Sequence, residues 1–195
     1  MGRRCLASSR LVDQSRKRRN SLKRSLLGFL ERKVVSLSLW WRKIVWEYEA
    51  KDILNRCASV GNSIGLRMPV VIYHPEGLRL GSNVSIGEFT HIRANGGVTI
   101  GDRVLIASHV IITSRGHAIE HPRWGGVLDA PIRIDNDTWI GAGAIILPGA
   151  HVHRGAIVAA GAVVTGIVDE MSIFGGVPAK KIGQVNDKSL LDISK

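Results

Sequence analysis

Histidine is the side chain of this 195-residue chain best suited to proton chemistry near neutral pH, and there are seven. Two of them, His117 and His121, fall in one stretch, TSRGHAIEHPRWGGVLDAP. Gly116, Gly125 and Gly126 give that stretch freedom to leave a regular fold. An imidazole there could take a proton from a weak nucleophile such as an alcohol, a service worth about 10²–10⁴-fold in rate. It could also hold a metal ion, since His91, His117 and His121 offer the three nitrogens of a zinc site. For His117 alone, a solvated loop histidine is the stronger reading. Position decides between these readings.

The elements around the stretch are set by a six-residue repeat. Ile134, Ile140, Ile146, Val152, Val158 and Val164 form an unbroken aliphatic ladder. Two residues before each later rung sits a small side chain: Thr138, Ala144, Ala150, Ala156, Ala162. Neither a helix nor one long strand has this period. A chain that turns a corner every six residues does, burying one large and one small side chain per side. Three sides close a triangular coil of about eighteen residues, and stacked coils make a parallel β-helix. The spacing continues backwards through Ile100, Ile106 and Ile112, then Leu80, Ile86 and Ile92, then Val60, Leu66 and Ile72. Glycines follow several rungs, at positions 61, 81, 87, 101 and 141, where a tight corner tolerates little else. This predicts about six coils over residues 58–182, broken by an inserted loop at 113–131. Inside a compact fold, a loop of that length usually has a job.

Three blocks carry a family resemblance: VTIGDRVLIASHVIITSRGHAIEHP, APIRIDNDTWIGAGAIILPGAHV and IFGGVPAKKIG. In this order they resemble the hexapeptide-repeat acyltransferases, nearest in kind to the galactoside and maltose O-acetyltransferases. The resemblance spans about residues 80–182. It implies an all-β fold, a left-handed parallel β-helix, assembled as a homotrimer. It also implies acetyl-CoA as acyl donor, with no metal, and a saccharide hydroxyl as acceptor. His117 matches the family's catalytic base. His91 and Asn95, from GEFTHIRAN, would face the acceptor, and Trp139 would line the groove. Ala142, Ala160 and Thr165 would follow the pantetheine arm, with Lys180 or Lys181 near the nucleotide phosphates. Gly166 stands where relatives often carry lysine, which removes one contact. Pro178 ends the repeat, so the chain should turn away there. Neither Cys5 nor Cys57 falls in this site, which favours direct transfer over a covalent acyl-enzyme.

The rest of the chain has a different character. Residues 1–56 carry fifteen Lys and Arg against five Asp and Glu, whereas the remainder carries twelve against eleven. Residues 1–20 read as a basic, disordered tail. Over 21–57, Leu22, Leu26, Phe29, Leu30, Val34, Leu37, Trp41, Ile44 and Tyr48 recur at helical spacing opposite Lys23, Arg24, Arg32, Arg42 and Lys43. Residues 183–195 read as a C-terminal tail. The helical segment is too charged to span a membrane, and no secretory signal follows the basic start. Two main roles for it stay open: a peripheral anchor on anionic lipid, with Trp40, Trp41 and Trp46 at headgroup level, or a helix packed on the β-helix; a transit peptide, rich in early Arg and Ser, is a third. Two cysteines cannot form a disulfide framework and indicate a reducing interior, so a cytoplasmic location follows, with the inner membrane face as the variant. Two rival functions share the fold: a gamma-class carbonic anhydrase-like hydratase and a non-enzymatic scaffold. No nucleic-acid motif accompanies the basic segment, and no nucleic-acid partner is expected.

Overall fold

The computed structural model describes residues 3–118 and 126–185, with side chains from Leu27 onward. The chain divides into two compact units, Met1–Glu47 and Tyr48–Lys195. One helix runs Arg3–Arg56. It includes residues 3–20, where the sequence reading placed a tail without regular structure. Between Arg3 and Arg56 there is no proline and one glycine, Gly28, so nothing there breaks a helix. Clustered positive charge lowers hydrophobicity without removing helix propensity.

From Ser59 onward the chain winds through three parallel sheets in strict rotation. The first face stacks 59–60, 78–80, 98–100, 132–134, 151–152 and 167–168. The second stacks 65–66, 85–86, 105–106, 139–140, 157–158 and 172–175, and the third stacks 71–73, 91–93, 111–113, 145–146 and 163–164. That gives five complete coils and a sixth with two of its three sides. The coils are unequal. Ser59 pairs with Arg79 and Arg79 with Thr99, two coils of twenty residues, because a short 3₁₀ turn at Pro75–Gly77 adds residues to the first and the 94–97 corner adds them to the second. Higher up, Arg133 pairs with His151, eighteen residues on.

The interior is the ladder. Every rung from Ile134 to Val164, and every small residue before the later rungs, is at most 2% exposed. Ile86, Ile92, Ile100, Ile106 and Ile112 are equally enclosed, and Leu80 is nearly so. The first coil is looser, with Val60 39% exposed, because a terminal coil has a neighbour on one side only. At the corner after the first face, side chains tie successive coils together. Asn62 N–H donates to Ser82 Oγ (3.1 Å), Ser82 N–H to Asp102 Oδ1 (2.7 Å), and Asp102 N–H to Asn136 Oδ1 (2.8 Å). Each satisfies a corner amide that no sheet reaches.

The corner glycines are needed for closeness more than for torsion. A Cβ on Gly87 would lie 2.5 Å from Ser108 N, and one on Gly141 would lie 2.6 Å from Ala160 N. The left-handed corner positions fall elsewhere, on Asn83, Arg103, His109 and Asp137 in the lower coils and on Gly143, Gly149, Gly155 and Gly161 in the upper ones. At the far end the chain does not leave the prism at Pro178. It reverses over 176–179, and 180–184 runs antiparallel along 172–175 on the second face.

Candidate active site

The ladder breaks where the third face would turn into the first. After Thr113 the chain leaves the wall as a two-stranded hairpin, Arg115–His117 against Val127–Asp129. Its base is fixed by Ser114 N–H on Arg93 O (2.9 Å), Ala130 N–H on Ser114 O (2.9 Å) and Gly96 N–H on Ser114 Oγ (2.9 Å). Arg115 locks the two strands with a bidentate pair, Nε–Oδ1 and Nη2–Oδ2 of Asp129, both 2.7 Å. That guanidinium holds the Asp129 carboxyl below the usual carboxylate range. His117 stands one residue beyond Gly116 on this arm, opposite Val127, with its side chain exposed. The arm therefore carries an imidazole outward from the prism on a stiff, doubly bonded base. His121 lies outside the described residues.

The expected acceptor residues sit beside the hairpin's root. His91 is in the third-face strand 91–93, one coil below Ile111, and Asn95 follows at the corner beside Gly96. His91 Nε2 and Asn95 Oδ1 are both buried with no hydrogen-bond partner. Burial, helped by the Arg93 charge, pushes the His91 imidazole below its ordinary pKa. Tyr73 meets its ring edge to face at a centroid separation of 5.4 Å. Orphaned polar atoms of this kind are costly, and the described residues supply no partner for either.

The remaining expected residues, Thr165 excepted, occupy a different edge. Trp139 is on the second face, 48% exposed, between Leu105 and Ile157. Ala142 and Ala160 are exposed on the corner after it, one above the other, with Gly161 N–H donating to Ala142 O (2.9 Å). Gly143 and Gly161, on that corner, have nothing within 4 Å of the Cβ position, so an extended chain could lie along it. Lys180 and Lys181 are exposed on the last strand of the same face. Thr165 belongs with the hairpin's edge, at the corner after the third face. The sequence reading missed the Arg115–Asp129 clamp, because pairing within the insert has no repeat to announce it. Cys57 is no nucleophile here. Burial pushes its thiol up, and Sγ donates to Ile53 O (3.3 Å).

Comparison with known proteins places this geometry. Residues 131–166 match the family described as bacterial transferase hexapeptide (six repeats). The chain is 32% identical over 133 residues to galactoside O-acetyltransferase of Escherichia coli K12, covering 67% of this chain and 66% of that protein. It is 32% identical over 120 residues to the putative lipopolysaccharide biosynthesis O-acetyl transferase WbbJ of the same organism, covering 56% and 61%. The chain thus spans just under two thirds of these curated relatives. A solved galactoside acetyltransferase in complex with coenzyme A superposes with a TM-score of 0.70 at 30% identity, covering 74% of this chain and 73% of that one. The chain is a left-handed parallel β-helix preceded by one helix.

Proposed function

The chain belongs to the bacterial hexapeptide-repeat transferase family, and from that premise we propose that it is a CoA-dependent O-acetyltransferase acting on a saccharide hydroxyl. One observation carries the reading: among the described residues the prism wall is interrupted by a clamped hairpin that holds His117 on its first strand. The imidazole of His117 takes the proton of the acceptor hydroxyl as its oxygen attacks the acetyl carbon of the thioester. The new ester C–O bond forms, the C–S bond breaks, and the proton passes to the departing sulfur as free CoA thiol. His91 and Asn95 offer their unpartnered buried atoms to acceptor hydroxyls. The Ala142–Ala160 edge takes the pantetheine arm, with Trp139 against the groove and Lys180 and Lys181 toward the phosphates, while Thr165 meets the arm from a neighbouring copy's hairpin edge.

The two groups of residues lie on different edges of one prism, which supports a homotrimer in which one copy's hairpin faces its neighbour's donor edge. A polysaccharide or lipid-linked saccharide fits a second feature. Exposed Trp40 and Trp41, with Arg42 over the Trp46 ring at 4.9 Å and Lys33 over Phe29 at 5.5 Å, suit a peripheral helix on anionic lipid. No helix among the described residues is long and apolar enough to cross a membrane. The protein would then work in the cytoplasm at the inner membrane face.

Two measurements test this. With acetyl-CoA, free thiol should appear only when a saccharide acceptor is added, and the acceptor should gain the mass of an acetyl group. Thiol release equal with and without every saccharide class tried would contradict the assignment. Full-length protein should sediment with anionic liposomes and not with neutral ones, less so in high salt; recovery in the supernatant from both would remove the membrane contact.

A further inference from the structure

A second group of ligand-bearing side chains lies away from the hairpin, on the outside of the first face. Asp135 follows the strand 132–134, and His151 and His153 flank the inward Val152 on the strand stacked above it. Residues two apart on a strand point the same way, so both imidazoles face out together. Asp135 and His153 are eighteen residues apart, the length of this coil, which sets one above the other.

The three groups converge on one point. Asp135 Oδ2 is 2.9 Å from His151 Nε2 and 3.4 Å from His153 Nδ1, and the three ligand atoms all lie within 4.8 Å of one another. The imidazole centroids are only 3.9 Å apart. A proton can satisfy this arrangement only in part. Protonating one ring gives it a partner in Asp135, but protonating both sets two positive rings in contact. A cation held between the three would satisfy both rings and the carboxylate at once. Ligands about 2.0–2.2 Å from zinc in tetrahedral array lie roughly 3.3 Å from each other. The separations here need small side-chain rotations and no backbone change.

We propose that Asp135, His151 and His153 bind a divalent transition-metal ion of the zinc class, joining two adjacent coils. Two imidazoles and one carboxylate suit zinc and its neighbours and disfavour magnesium or calcium. Three protein ligands leave one position to water. All three side chains are partly exposed, between 28% and 38%, so the ion has a path in. None of the three belongs to the His91, His117 and His121 set considered for zinc from the sequence. The site acts as a staple within the wall and takes no part in acyl transfer.

The test uses full-length protein treated with a chelator and dialysed against Zn²⁺ or Co²⁺. Binding at one ion per chain is expected, with a Co²⁺ ligand-field absorption and a higher Tm with zinc. His151→Ala, His153→Gln and Asp135→Asn should each weaken binding by more than about 100-fold, beyond what loss of an outer-shell partner costs. His74→Ala and His109→Ala should bind like wild type. Acidification should release the ion as the imidazoles take up protons. The proposal is overturned if wild type binds no more zinc than a folded His151→Ala, His153→Ala double variant, or if the His74 and His109 variants lose as much.

Discussion

Asp137 shows how one corner residue can be pH-sensitive. Its carboxylate, 18% exposed, accepts from Arg103 Nε (2.6 Å) and Nη2 (3.0 Å) and from Arg154 Nε (3.3 Å), joining three successive coils. The Arg103 guanidinium, bonded to it and charged beside it, holds the carboxyl below the usual range against the opposing effect of burial. A depressed folded-state pKa contributes stability that is complete above the unfolded carboxylate's value, about 3.9, and is lost as pH falls through the lower folded value. Asp137→Asn should therefore cost about 1 kcal/mol at neutral pH. In melts followed by circular dichroism, the gap from wild type should close below about pH 3.9. A gap of constant size down to acid would show that the carboxylate's charge contributes nothing. At this same residue scale, the role of His117 as base rests on the proposal, while its place on an insert was legible from the sequence because an otherwise regular ladder stops there. The burial of His91 Nε2 and Asn95 Oδ1 was not, since enclosure by neighbouring coils has no signature in the local sequence.

The hairpin is the element on which the proposed chemistry turns. Its Arg115–Asp129 clamp is exposed, so its removal should hardly move Tm. It sits two residues from His117, however, and a displacement of about 1 Å can cost about 100-fold in rate. Asp129→Asn is expected to lower kcat by roughly tenfold to 100-fold while the KM for acetyl-CoA stays near wild type. Steady-state thiol-release kinetics check this, and an unchanged kcat would show that the clamp does not position the arm. At this scale the coils were readable because a six-residue period leaves little choice of register: all six rungs and all five small residues from Ile134 to Val164 turned inward. What the period could not give was the extra residues in the lower coils, which change no buried position. The return of 180–184 onto the second face was equally hidden. The sequence reading took Pro178 to send the chain away, but a proline in a turn also suits reversal.

The whole molecule joins a regular prism to an irregular pair of additions, the helix Arg3–Arg56 and the hairpin. The prism was legible because stacking neighbours requires the same few side-chain types again and again. The helix was half legible. Its apolar spacing stood out over 21–57, but the basic run before it hid continued helix propensity. Under the proposed function, the separate edges of the His117 hairpin and the Ala142–Ala160 corner tie activity to assembly, so solution mass and activity belong in one experiment. The most direct test compares wild type with His117→Ala, following transfer of labelled acetyl from acetyl-CoA to a saccharide acceptor while measuring mass by light scattering. Both proteins should run as trimers, and the variant should lose about 10²–10⁴-fold in kcat. A trimeric His117→Ala protein that transfers acetyl at the wild-type rate would contradict the account.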